Sequence, residues 1–188
     1  MANIRRYERG ELLGFFEAVD QALEEPATII LIGGSAVILA YGVTTTTVDV
    51  DTLNKTTDAL KLACLRAYEQ TGLAPPLSQA GVAQVPECYE DRLVRHPTGG
   101  SFLALYVLER HDLAISKAFR GDDRDRQHLM AMHAAKPLDF DILVSRFRDE
   151  VMPIYVGDLR APLAHFLWII EELFGEMRLV KAERMLQI

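Results

Sequence analysis

Two short stretches of the chain carry residue types that do chemistry together. Gly33-Gly34-Ser35 closes the β-branched apolar run Thr28-Ile29-Ile30-Leu31-Ile32, and Asp49 and Asp51 follow in Thr47-Val48-Asp49-Val50-Asp51. In extended backbone alternate side chains share a face, so the spacing predicts that both aspartates point one way while Val48 and Val50 enter the core. Their Cα atoms would lie about 6.6 to 6.8 Å apart, which lets the two carboxylates lean together onto a hard cation such as Mg²⁺. Without a cation the like charges would repel on an otherwise β-branched strand, and such local conflicts mark sites. A glycine pair between a strand and a helix permits close backbone approach and turns first-turn amides outward, an arrangement that binds phosphate. Ser35 adds a hydroxyl that can donate to a phosphate oxygen or cap the helix. Alone, Gly-Gly-Ser is ordinary turn chemistry and Asp-x-Asp an ordinary solvated strand end. Together they imply phosphoryl or nucleotidyl transfer, with the turn holding a polyphosphate and the acids holding the metal that bridges it.

The elements that must position these residues are legible from periodicity. Glu11 to Leu23 reads as an amphipathic helix with Leu12, Phe15, Phe16 and Val19 inward and Asp20, Gln21 and Glu24 on the other side. Thr28 to Ile32 reads as a strand buried on both faces, Ser35 to Tyr41 as a short buried helix, and Thr44 to Asp51 as a second strand. Asp58 to Thr71 has helical spacing and stops at Gly72; the stretch to Pro86 reads as an irregular crossing. Tyr89 to His96 and Phe102 to Leu108 flank Pro97-Thr98-Gly99-Gly100 as two antiparallel strands. From Asp112 onward the pattern is helical over 113–120, 123–135, 140–151 and 163–174, punctuated by Gly121, Pro137, Pro153 and Pro162. The expected architecture is α/β (α+β): a mixed sheet with flanking helices over residues 1–110, then a helical region over 111–188 packed on that core.

The 188 residues hold 20 Lys plus Arg against 27 Asp plus Glu, a net charge of −7. That excludes a broad nucleic-acid-coating surface but leaves room for a local basic pocket aimed at phosphate. Cys64 and Cys88 are too few for a disulfide framework and lack zinc spacing. His128 and His133, five apart, would sit about 140° around a helix from each other, so they form no metal pair. The longest apolar runs fall far short of the roughly 20 residues a membrane span needs, and no signal core opens the chain. A cytoplasmic protein with no membrane association is the expectation.

With those residues in view, the sequence resembles the nucleotidyltransferase superfamily. It is more specifically similar to the AbiEii-like bacterial branch and its uncharacterised relatives. The likeness rests on Gly33-Gly34-Ser35-Ala36, on Thr47-Val48-Asp49-Val50-Asp51, and on Leu108-Glu109-Arg110-His111-Asp112-Leu113-Ala114-Ile115-Ser116-Lys117 with Arg124-Asp125 beyond. The resemblance implies a nucleotidyltransferase-like mixed sheet, a nucleoside triphosphate (NTP) substrate, Mg²⁺, and active-site roles for Lys117 and Asp125. Lys117 falls in an apolar helical stretch, with Arg120 three residues on; both cations could neutralise triphosphate charge. The acceptor would be a hydroxyl or phosphate on RNA, protein or a small molecule. Two departures from the family pattern stand out: Thr44 to Thr47 replaces the arginine that often precedes the Asp-x-Asp strand, and 102–108 holds no third acid. They motivate an alternative, a catalytically silent interaction protein such as a component of a toxin-antitoxin pair, bound to a cognate toxin or antitoxin.

Overall fold

The computed structural model describes residues 5–81 and 83–188. They form two compact units, residues 5–81 with 93–108 and residues 83–92 with 109–188. All five strands found among the described residues lie in the first.

The first unit is built as α1 (Arg9–Ala22), β1 (Ala27–Ile32), α2 (Gly33–Ala40), β2 (Val50–Thr52), α3 (Asp58–Thr71), β3 (Leu77–Gln79), β4 (Val94–His96) and β5 (Leu103–Val107). The strand order is β3-β2-β1-β5-β4, a mixed sheet. β1 runs parallel to β5 and antiparallel to β2, β2 parallel to β3, and β4 antiparallel to β5. Alternation sets the inner face: Ile29 and Leu31 of β1 and Leu103, Leu105 and Val107 of β5 are buried. Thr28 is exposed and Ile30 half-buried, so β1 is covered on one face rather than two. α2 is apolar nearly all round and correspondingly buried from Ala36 to Leu39. α3 starts at Thr57, whose hydroxyl accepts from the Leu60 amide at 3.2 Å, and ends at left-handed Gly72.

Three local expectations need correcting in this unit. The threonine run does not form a strand among the described residues: Thr47 makes an isolated bridge with Tyr7, and β2 begins at Val50. β-Branched residues favour extended backbone, but a ladder also needs a partner, and Tyr7 offers one at a single position. The crossing after Gly72 contains β3, and residues 89–92 form a 3₁₀ turn ahead of the short β4. Asp20 is not on the polar side of α1. It is 1% exposed and accepts from the backbone amides of Gly100, Phe102 and Leu103 at 3.1, 2.9 and 2.8 Å, and from the Thr98 hydroxyl. The loop between β4 and β5 closes over this carboxylate, and a Cβ at Gly100 would meet it at 2.5 Å.

The second unit holds α4 (Arg110–Arg120), α5 (Asp123–Ala135), α6 (Phe140–Arg146) with a π turn over Phe147–Val151, α7 (Arg160–Phe174) and α8 (Glu176–Leu186). Its core gathers Ile115, Leu129, Val144, Phe147, Phe166 and Ile170, with the Phe147 and Phe166 rings stacked at 4.0 Å. Pro162 does not stop a helix but stands in the first turn of α7, where no intrahelical amide is missed. Glu109 caps α4, accepting from the His111 amide at 3.0 Å. Asp112 is fully buried between Arg92 and Arg146, the former also held by Glu150 from the π turn. Among the described residues, no helix is long and apolar enough to cross a membrane.

Candidate functional site

The end of β1 and the whole of β2 fix the first constellation. Antiparallel pairing sets Ile32 opposite Asp51, so the chain turns into α2 beside that aspartate. Gly33 adopts φ +72, a conformation side-chain-bearing residues avoid. A Cβ there would lie 2.9 Å from Asp51 Oδ2. The glycine corner therefore packs directly against one of the two acids, and glycine is required both for its φ and for its lack of bulk. α2 has no side-chain cap at Ile32. Ser35 is buried, and its hydroxyl donates to the Ile32 carbonyl at 3.2 Å. Gly34 between them is half-buried.

Val50 is fully buried, so Asp51, next to it in β2, takes the other direction; Asp49 lies just before β2, and both acids are half-buried. The Thr47 hydroxyl, itself buried, donates to the Asp49 carbonyl at 3.0 Å and reaches Asp49 Oδ1 at 3.3 Å. Ser78, opposite Asp51 on β3, donates to Asp51 Oδ1 at 3.4 Å. Sequence reasoning missed Ser78 because Leu77-Ser78-Gln79 is too short to show a period. Among the described residues no group of three or more His, Cys, Asp or Glu side chains gathers as a metal cage. The donor set of two carboxylates nonetheless suits Mg²⁺, which takes one or two carboxylates and fills its remaining positions with water and phosphate oxygens.

The second constellation lies in the second unit, where the end of α4 meets the start of α5. Lys117 is 3% exposed and Asp125 1% exposed, and Nζ donates to Asp125 Oδ1 at 2.6 Å. Arg120 grips the same carboxylate through Nε at 2.5 Å and Nη2 at 2.8 Å. Asp122 caps α5 by accepting from the Asp125 amide at 2.8 Å, which fixes the carboxylate's approach. Burial would raise the Asp125 carboxyl, but Arg120 and Lys117 together hold it below the usual carboxylate range. Burial draws the Lys117 ammonium below its ordinary value, opposed by the Asp125 charge. His128, also buried, stands 3.3 Å from Lys117 Nζ through Nδ1. An ammonium only donates, so Nδ1 is the acceptor and the ring is neutral. Burial and then the Lys117 charge push its pKa down to about 4. Neither Asp20 nor His128 was legible as a partner in the sequence. Cys64 is no nucleophile, because burial pushes its thiol up to about 11.

A mixed sheet whose first strand ends in a glycine corner against an acidic strand, in a chain with a helical C-terminal region, defines a nucleotidyltransferase-like fold. The chain belongs to a nucleotidyltransferase family: the matching family model, DUF6036, described as a nucleotidyltransferase of unknown function, spans residues 10–168. Comparison with curated proteins and with solved structures gives no match.

Proposed function

We propose that this protein transfers a nucleotidyl group from an NTP to an acceptor hydroxyl or phosphate, with Mg²⁺ held by Asp49 and Asp51. The observation that carries this reading is the contact between the Gly33 corner and Asp51, because it sets a phosphate-binding turn beside a cation-binding acid. The Gly33, Gly34 and Ser35 amides bind phosphate oxygens, while Ser35, by donating to Ile32, fixes the corner's shape. Asp49 and Asp51 orient the bridged triphosphate, held in turn by Thr47 and Ser78. The metal, when bound, offsets charge on the phosphates. An acceptor oxygen attacks the α-phosphorus, the bond from that phosphorus to the bridging oxygen breaks, and pyrophosphate leaves.

Lys117 and Asp125 enter the proposal from the likeness to the AbiEii-like branch, a kinship that is itself part of this reading, and Arg120 from its place three residues beyond Lys117. Their geometry supports a preorganised cationic group: Asp125 fixes the Lys117 ammonium and the Arg120 guanidinium, whose role is to stabilise phosphate charge. The test is incubation with α-phosphate-labelled NTPs, Mg²⁺ and separate pools of RNA, protein and small molecules. Label appearing in one pool with release of pyrophosphate supports the reading. Hydrolysis without any labelled acceptor, or no turnover in any pool, contradicts it.

A further inference from the structure

Residues of α4, α5 and α7, all within the second unit, line a cavity of about 120 Å³ that includes Lys117, Gly121, Asp123, Arg126, His165 and Trp168. Its polar groups are the nitrogens of Lys117, Arg126 and His165 and the carboxylate of Asp123. His165 Nδ1 is buried and has no hydrogen-bond partner among the described residues. The ring is fixed there because it fills the space a Cβ would occupy at left-handed Gly121. The Arg126 guanidinium carbon lies over the Trp168 ring, 3.8 Å from its centroid. Its contact with Glu172 is long, 3.5 Å. The Lys117 ammonium has three N–H groups, of which Asp125 and His128 take two. Asp123, the acid among these lining residues, is exposed and screened by solvent.

Arginine and lysine only donate, and a neutral histidine donates through whichever ring nitrogen carries its proton. A buried polar atom without a partner is costly, so an acceptor ligand here is favoured. The size selects among acceptors: pockets for drug-sized ligands run to roughly 300–1,000 Å³, so this one has room for a phosphate-sized group and none for a nucleoside. We propose that this cavity binds a single phosphate-sized oxyanion, held by His165 Nδ1–H and the Arg126 guanidinium with Lys117 behind them. The inference goes beyond the nucleotidyl-transfer reading, since it needs neither Asp49 nor Asp51.

Trp168 is the chain's sole tryptophan, so its emission reports on the cavity. The experiment titrates inorganic phosphate, pyrophosphate and ATP at constant ionic strength, with chloride as control, following emission and melting temperature together. Inorganic phosphate is expected to saturate both signals. The affinity falls by at least about tenfold, or ~1.4 kcal/mol, in Arg126→Gln and in His165→Gln. Melting temperature serves as the readout for Arg126→Gln, which alters the indole's surroundings. Phosphate affinity stays unchanged in the Asp49→Asn plus Asp51→Asn variant, which separates this site from the proposed cation-binding acids. Competition by pyrophosphate or ATP identifies the terminal phosphate of a larger molecule as a source and supports the site. No saturable response to inorganic phosphate, parental affinity retained in both single variants, or a response to ATP alone would overturn it.

Discussion

Replacing Gly33 by alanine tests the contact that joins the two halves of the candidate site. Two separate costs arise there. Alanine at φ +72 pays the left-handed penalty, about 1 kcal/mol, and its Cβ would sit 2.9 Å from Asp51 Oδ2, forcing that carboxylate off its rotamer for about another 1 kcal/mol. Gly42 provides the control: its φ is +68 with nothing within 4 Å of an added Cβ, so Gly42→Ala carries the first cost alone. Urea denaturation should therefore show Gly33→Ala destabilised by about 2 kcal/mol and Gly42→Ala by about 1 kcal/mol. Mg²⁺-dependent ATP affinity, measured calorimetrically, should fall at least about tenfold in the first and stay unchanged in the second. Equal stability loss and equal ATP affinity in the two variants would refute the claim that the corner and Asp51 work as one unit.

Asp20→Asn should destabilise the protein by about 2 kcal/mol in urea titration, because a carboxylate bonded to three amides and a hydroxyl is replaced by an amide. Burial opposes ionisation of Asp20, but Thr98 and those amides hold its pKa below the ordinary value. Its contribution is thus complete above the unfolded value of about 3.9 and lost as pH falls through the folded one, a slope the asparagine variant lacks. His128 works in the same direction at higher pH. Its folded pKa of about 4 lies below the unfolded 6.5, so stability is full above 6.5 and declines as pH falls towards 4, by a total of about 3 kcal/mol. Urea midpoints compared at about pH 7 and about pH 5 should diverge less in His128→Gln than in the parent protein. An equal pH dependence in both would show that the ring is not held neutral by burial and the Lys117 charge.

Much of the sheet was legible because its strands announce themselves. The Thr28 to Ile32 run ends in two glycines, and the 102–108 run alternates large side chains with a clean burial period. α1, α3 and α5 followed from apolar spacing and from their caps. The missed features have a common cause, which is that they depend on partners distant in sequence. β-Branching alone made Thr44 to Thr46 look like strand, yet no neighbouring strand pairs with them among the described residues. Three-residue β3 exists because β2 pairs with it, not because Leu77-Ser78-Gln79 has any period of its own. Asp20 sits at a position where helical spacing suggests solvent, yet it is buried by the 98–103 loop, and Asp112 is buried by Arg92, which arrives from elsewhere in the chain. At the candidate site, the types and spacing of Gly33, Asp49 and Asp51 were legible, whereas the supporting hydroxyls of Thr47 and Ser78 were not. Lys117 and Asp125 were suggested by resemblance and Arg120 by helical spacing; their tight pairing, and the neutral His128 behind them, emerged only from packing.

The measurement closest to the central claim is calorimetric titration of ATP into the protein, with and without Mg²⁺, for the parent chain and for Asp49→Asn plus Asp51→Asn. The parent should bind ATP only when Mg²⁺ is present. The double variant should lose that binding while its melting temperature holds or rises, since two like charges on neighbouring positions have been removed. Undiminished Mg²⁺-dependent affinity in the double variant would contradict the assignment of these two carboxylates.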